Sequence, residues 1–450
     1  MNRSISSSPL WWLTALLVVF SVFPAFAQQP SPVYTPPSAR DVLSGKAPLR
    51  VLIVTAQPMI AWKGTCDVRV TSMTDSSLLY TSPAAELVGV VSVPEDHSVS
   101  LRKAGANFCP VSGAFKLESD QPIALWTSKP DHWTTYSSPL IVTSLADGTF
   151  TITREMLLDE YLRNVVPAEM PASFHPQALS AQAIIARTYA LKQLGRHAAE
   201  GADICATVHC QAFTTDAKRT TATDTAVTAT KGLVLLYGGK LADAFYHSCC
   251  GGTVDDAGYV WGPEYARPYL SGGYDSTKKL QQDQVGIADI LAQGDTYCKR
   301  SGNMHWTRKF SPSDVDELVR KNLAKVTGDS AEKITHVTNM AIEDRSPFGR
   351  VASLRVEGDG ASVLVSGDKV RWLFGSGAPG LDGLWSTLFD LTVTRDDAGN
   401  ITEYTITGAG RGHGLGLCQW GADGRARAGQ TFRDILAAYY PGTRISDTFK

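Results

Sequence analysis

A chain of 450 residues is long enough for two or three cores of ordinary size, and 42 Lys and Arg against 44 Asp and Glu leave a formal net charge of −2. Without a basic block or charge run, the sequence excludes a nucleic-acid partner gripped through clustered phosphate contacts and offers no polybasic patch for a membrane. Eight cysteines, all beyond the first 27 residues, complete the frame.

The chain opens with one basic residue, Arg3, then an apolar stretch from Leu10 to Phe26 that closes on Ala25-Phe26-Ala27. Small residues at the −3 and −1 positions mark residues 1–27 as a cleavable secretory signal. The run is broken by Thr14, Ser21 and Pro24, so it makes a poor membrane anchor. The expectation is an exported protein of the periplasm, cell envelope or exterior, starting near Gln28, with no stable membrane span after cleavage. In an oxidising compartment cysteines pair more often than they stay free. Cys66 and Cys109 could close a loop in the first third; the remaining six fall later and their pairing cannot be deduced from sequence.

Residues 28–48, QQPSPVYTPPSARDVLSGKAP, read as a flexible lead-in rich in Pro and Ser. From 49 to 150 short apolar runs such as LRVLIV, CDVRVTSM and ELVGVVSV alternate with turn formers, which predicts a β-rich N-terminal domain. At TITREMLLDEYLRNVVPAEM the period changes. Met156, Leu157, Tyr161, Leu162 and Val165 fall on one helical face, with Thr153 as a plausible N-cap. PQALSAQAIIARTYALKQLGRHAAEG follows, opened by Pro176, with Leu179, Ala183, Ala186, Tyr189, Ala190 and Leu194 as its stripe. Its alanine content predicts close packing at the centre of a domain. Then come strands at LVLLY and LADAFYHS, an aromatic loop at YVWGPEYARPYLSGGYDS, and an amphipathic helix capped by Ser311 or Ser313. Three or four β segments and a glycine-rich loop feeding two short helices close the chain. The fold class is α+β: a β-rich N-terminal domain, then a mixed core over 151–450 built on a long buried Ala-rich helix.

Three constellations could carry chemistry. Glu169 sits between Pro167 and Pro171, in a rigid turn between two helices. Either it caps the following helix, whose N-terminus favours acidic groups, or it is held in a fixed direction for catalysis. In RGHGLGLCQWG, residues 411–421, the glycines permit close backbone approach while His413 and Gln419 project polar groups; the plainer alternative is a tight hairpin turn into a helix. His197, Cys205, His209 and Cys210 are donor types suited to zinc, although the spacing matches no common zinc motif and disulfides compete. The aromatic residues Tyr259, Trp261, Tyr265 and Tyr269 belong either to a core or to a groove in which flat rings stack on sugars.

EYLRNVVPAEMP, HPQALSAQAIIARTYAL, HCQAF, FYHSCCGGTV, VWGPEYARPYL and GHGLGLCQWGADGRARAGQTFRDILAAYYPGT occur in the order of the stage II sporulation protein D (SpoIID/LytB) family, which the chain resembles from about Leu49 to its C-terminus. The resemblance implies a lytic transglycosylase acting on peptidoglycan glycan strands stripped of peptides, with Glu169 as the single acid/base. It implies a zinc ion held by His197, Cys205, His209 and Cys210. Tyr246, His247, Tyr259, Trp261, His413 and Gln419 become binders or orienters of sugar. Cys249, Cys250 and Cys418 depart from the family pattern, and a link from Cys249 or Cys250 to Cys418 would join two site segments. Two other classes stay open: a wall-binding modulator of an amidase, and a structural envelope protein braced by zinc or disulfides.

Overall fold

The computed structural model describes residues 34–92, 99–128, 131–137, 139–145, 147–277, 287–292, 294–328, 334–375 and 383–449. The expected signal over 1–27 and the lead-in up to Val33 lie outside the described residues. From Tyr34 onward the lead-in is packed. Helix Ala39–Leu43, capped by the Ser38 hydroxyl, buries Val42 completely, and the Tyr34 hydroxyl donates to Asp203 at 2.8 Å.

The N-terminal part forms two antiparallel sheets facing one core, because its strands alternate buried and part-exposed positions. Trp62, Val70, Val88, Phe115, Leu125 and Ile152 fill the space between them. The two cysteines of this region stand in different sheets. Cys66 leads into the strand Val68–Ser72 and its Sγ lies 3.1 Å from Ser119 Oγ, whereas Cys109 is on the edge strand Ala106–Val111 and faces the Leu79 carbonyl at 3.9 Å. No bond joins them; all eight cysteines are free, contrary to the disulfide expectation.

Strand Phe150–Met156 hands the chain from sheet to helix. Here the structure corrects the sequence reading, because Thr153 is a strand residue paired with Leu52 and Ile141. The helix begins five residues later as Leu158–Glu169, after Leu157, which makes no side-chain cap and is 52% exposed. The β-branched run Thr151-Ile152-Thr153 favours the pleated, half-buried environment that the pairing supplies.

The Ala-rich segment forms the helix Pro176–Lys192, and residues 178–191 are buried on every face. A helix apolar all round belongs at a domain centre, and its small side chains let helices Leu158–Glu169, Thr221–Ala229, Gln419–Arg427 and Phe432–Tyr439 close around it. Buried Arg187 pairs with Asp159 at 3.0 Å and donates to the carbonyls of Leu233 and Val227; the Thr188 hydroxyl accepts from Leu235 N–H at 2.8 Å, fixing the strand Val234–Tyr237.

A third core lies in the C-terminal half, where helix Pro312–Thr327 packs with strands His305–Phe310, Asn339–Arg345, Val351–Gly358, Phe389–Arg395 and Ile401–Ala409. Ser311 caps that helix in a reciprocal capping box with Asp314, one of the two caps read from the sequence. The molecule is α+β, with its β-rich region N-terminal. Among the described residues no helix is long and apolar enough to cross a membrane.

Candidate active site

Glu169 is the last residue of its helix, not a cap on the next one. The N-cap of the central helix is His175, whose Nδ1 accepts from Gln177 N–H. Pro167, inside the last turn, and Pro171, just beyond the helix, stiffen the backbone on both sides of the carboxyl. The residue stands where the helix exposes its carbonyl ends, a position that disfavours a negative side chain.

Three donors converge on the carboxyl. Oε1 accepts from the Ala212 backbone N–H at 2.7 Å and from the Tyr246 hydroxyl at 2.9 Å; Oε2 accepts from Gln419 Nε2 at 3.2 Å. Burial raises the pKa of Glu169 above the ordinary carboxylate value, and the three hydrogen bonds offset only part of that shift. Behind the first contacts runs a buried relay: Tyr161 donates to Gln211 Oε1 at 3.1 Å, and Gln211 Nε2 donates to the Tyr246 oxygen at 3.0 Å.

Each donor is placed by a separate chain segment. Asn164, on the same helix as Glu169, donates to the Thr214 carbonyl at 2.7 Å while its backbone carbonyl accepts from Thr214 N–H. This holds residues 211–214 along the helix and aims the Ala212 N–H at the acid. Strand Tyr246–His247 pairs in parallel with Leu417–Cys418, bringing Tyr246 and the start of helix Gln419–Arg427 to the same carboxyl. The loop before Leu417 is not a simple hairpin: at Gly416, φ is +62° and a Cβ would lie 2.1 Å from the Phe245 carbonyl oxygen, so only glycine fits.

Of the residues expected to bind sugar, Tyr246 and Gln419 touch Glu169. His247 and His413 do not contact it. Alternation along the two-residue strand turns His247 away from Tyr246's side, where its Nδ1–H donates to the Leu415 carbonyl at 3.0 Å with its ring 5.5 Å from His413. Burial holds His247 well below the usual imidazole range and His413 at about 4, so both rings are neutral near pH 7. Trp261 meets His413 at a tilt with ring centres 4.9 Å apart and Phe245 edge-on at 4.7 Å, so its ring adjoins the residue before Tyr246. Tyr259 is 48% exposed near it in the chain, and Tyr265 lies 5.7 Å from Trp261; Tyr269 is buried. Gln211, the Ala212 N–H and Tyr161 had no assigned role in the sequence, although Gln211 and Ala212 stand in the segment HCQAF.

His197, Cys205, His209 and Cys210 do come together, with all four ligand atoms within 4.8 Å of one another. His197 Nε2 is 3.2 Å from His209 Nδ1, which lies 3.7 Å from Cys205 Sγ and 3.8 Å from Cys210 Sγ. His197 Nδ1 faces Glu200 at 3.4 Å, the outer carboxylate contact that fixes a histidine with its other nitrogen free for a metal. The donor set and spacing fit a four-coordinate metal ion. The link expected between Cys249 or Cys250 and Cys418 is not formed; instead the Cys250 backbone N–H donates to Cys418 Sγ at 3.1 Å.

A β sandwich joined to a helical core that presents one recessed carboxyl among neutral donors defines a mixed-fold protein with an acid-bearing site. Residues 146–237 match the model of a family described as Stage II sporulation protein (SpoIID), and residues 255–416 match a domain of unknown function (DUF8618). Stage II sporulation protein D of Bacillus subtilis is 29% identical over 307 residues, 64% of this chain and 74% of the relative. An uncharacterized protein of Brachyspira hyodysenteriae is 28% identical over 302 residues, covering 67% and 70%. A Bacillus subtilis protein named amidase enhancer is 29% identical over 311 residues, 63% of this chain but 40% of the relative's length. The SpoIID match over residues 146–237 and the 29% identity to stage II sporulation protein D support that family for this chain.

Proposed function

We propose that the protein is an exported lytic transglycosylase that cuts the MurNAc–GlcNAc bond of peptidoglycan strands. The observation that carries this reading is the single carboxyl of Glu169, enclosed by an N–H, a phenol and an amide, all uncharged. Hydrolysis of a glycoside ordinarily uses two carboxyl groups, one to protonate the leaving oxygen and one to activate water or attack carbon. A lone acid suits a reaction in which the sugar supplies its own nucleophile.

In that reaction protonated Glu169 gives its proton to the glycosidic oxygen as the C1–O bond breaks. The carboxylate formed then accepts the proton of the MurNAc C6 hydroxyl as that oxygen bonds to C1, yielding a 1,6-anhydro end and restoring the acid. Oε1, with two donors, is suited to remain the acceptor oxygen; Oε2, with one longer contact, is suited to carry the proton. Tyr246, Gln211 and Gln419 orient the group, and Trp261 and Tyr259 offer rings to a sugar. Zinc held by His197, Cys205, His209 and Cys210 would brace the loop immediately before Gln211 and Ala212 without entering the chemistry.

Incubation of the mature protein with peptide-free glycan strands and mass spectrometry of the products tests this reading. Anhydro-MurNAc ends support it; reducing ends mean hydrolysis. A second reading rests on the relative named amidase enhancer: the chain would bind strands uncut and stimulate a wall amidase. Strand binding without cleavage, with faster peptide release by an added amidase, would favour that alternative.

A further inference from the structure

A second group of metal-type ligands lies apart from the His197 to Cys210 set. Cys250, Asp275, Cys298 and Cys418 are fully buried, and their ligand atoms all lie within 4.8 Å of one another. Cys250 Sγ is 3.5 Å from Cys298 Sγ and 3.4 Å from Asp275 Oδ2. Zinc–sulfur bonds of ~2.3 Å in a tetrahedron separate sulfurs by about 3.8 Å, so the four atoms stand close to where such an ion would hold them.

Backbone donors face two of the sulfurs. Cys418 Sγ accepts two backbone N–H groups, from Cys250 at 3.1 Å and from Gly421 at 3.2 Å, and Cys250 Sγ accepts from Gly252 at 3.3 Å. Asp275 is oriented from outside the group by Arg425 at 2.9 Å on Oδ1 and the Tyr439 hydroxyl at 2.8 Å on Oδ2, as outer partners orient a ligating carboxylate. Arg350, also buried, donates to the Cys250 carbonyl at 2.8 Å and pairs through Nε with Asp255 at 4.0 Å, while its Nη1 has no hydrogen-bond partner among the described residues, so a guanidinium borders the cluster. Three thiolates and a carboxylate around a divalent ion carry a net negative charge that these two guanidinium groups oppose.

We propose that Cys250, Cys298, Cys418 and Asp275 form a second, buried metal site suited to zinc. Binding displaces the three thiol protons to solvent and leaves no oxidation state changed. The ion ties the segment that follows the strand Tyr246–His247, the segment reaching Cys298, and the residue directly before Gln419. Two of the Glu169 contacts are therefore anchored by a site that takes no part in proton transfer. The metal assignment stands independently of the reaction proposed above.

Zinc content of the full mature chain decides the matter. In a His209→Ala background, which removes a ligand of the other group, purified protein retains about one zinc per chain, and adding Cys298→Ser removes it. Should the double variant fail to fold, cobalt titration of reduced, folded His209→Ala gives the answer through a sulfur-to-cobalt charge-transfer band. Unchanged zinc after Cys298→Ser, absence of that band, or a native peptide map with Cys298 in a disulfide overturns the proposal.

Discussion

The Tyr246 hydroxyl donates to Glu169 Oε1 at 2.9 Å while accepting from Gln211 at 3.0 Å, so one phenol couples the acid to a buried amide. A donor to a carboxylate favours its charged form, and removing that donor raises the acid's midpoint further. Tyr246→Phe therefore shifts the alkaline limb of the pH–rate profile upward and lowers the maximal rate roughly 10-fold, a cost of about 1.4 kcal/mol. It also leaves Gln211 Nε2 without its acceptor, which costs about 1–3 kcal/mol in stability. Rate against pH and urea denaturation check the two effects separately.

Glu169 itself opposes folding at neutral pH. Its folded-state value is raised, so the native protein binds the proton more tightly than the unfolded chain does. The stability linked to that proton is fully present below the unfolded carboxyl value and is lost as pH rises through the folded one. Glu169→Gln, neutral throughout, is expected to melt at the same temperature as the wild type or higher at pH 8. Any advantage shrinks toward pH 4. Melting curves of both proteins across this range check the sign.

Loss of the His197 to Cys210 metal would be felt at the acid through two residues of chain. Cys210 directly precedes Gln211 and Ala212, both in contact with the Glu169 system. His209→Ala or a chelator should lower cleavage several-fold and speed amide exchange at Gln211 and Ala212, while strand Phe389–Arg395 exchanges as before. Hydrogen exchange read by mass spectrometry locates the change.

The loop that delivers Gln419 depends on Gly416. An alanine there meets the Phe245 carbonyl oxygen at 2.1 Å and the Tyr440 ring at 2.9 Å, in a left-handed conformation that alone costs about 1–2 kcal/mol. Gly416→Ala is expected to destabilise the protein by more than ~3 kcal/mol and to abolish cleavage. Chemical denaturation gives the first quantity and a strand-cutting assay the second.

How far the sequence revealed this site follows the locality of each signal. The central helix was legible because Pro176 and an unbroken alanine-rich run act within a few turns. The proline frame marked Glu169 as a positioned residue for the same reason. Thr153 misled because its strand state comes from Leu52 and Ile141, partners outside any local window. The Ala212 contribution was illegible in principle, since a backbone N–H leaves no trace in residue type. The separation of His247 from Tyr246 could have been foreseen, because neighbours on a strand face opposite ways. The cysteines misled through compartment: an exported chain suggested pairing, whereas six of the eight sulfurs sit with histidine, carboxylate or each other in two clusters.

The central claim is that Glu169 is the acid and base of strand cleavage. Wild-type protein and Glu169→Gln, both shown to be folded by circular dichroism, are incubated with peptide-free glycan strands and the new ends are identified by mass spectrometry. The wild type is expected to give 1,6-anhydro-MurNAc ends, and the variant a rate lower by about 100- to 10,000-fold. Equal rates from both proteins, or reducing ends in place of anhydro ends, would contradict it.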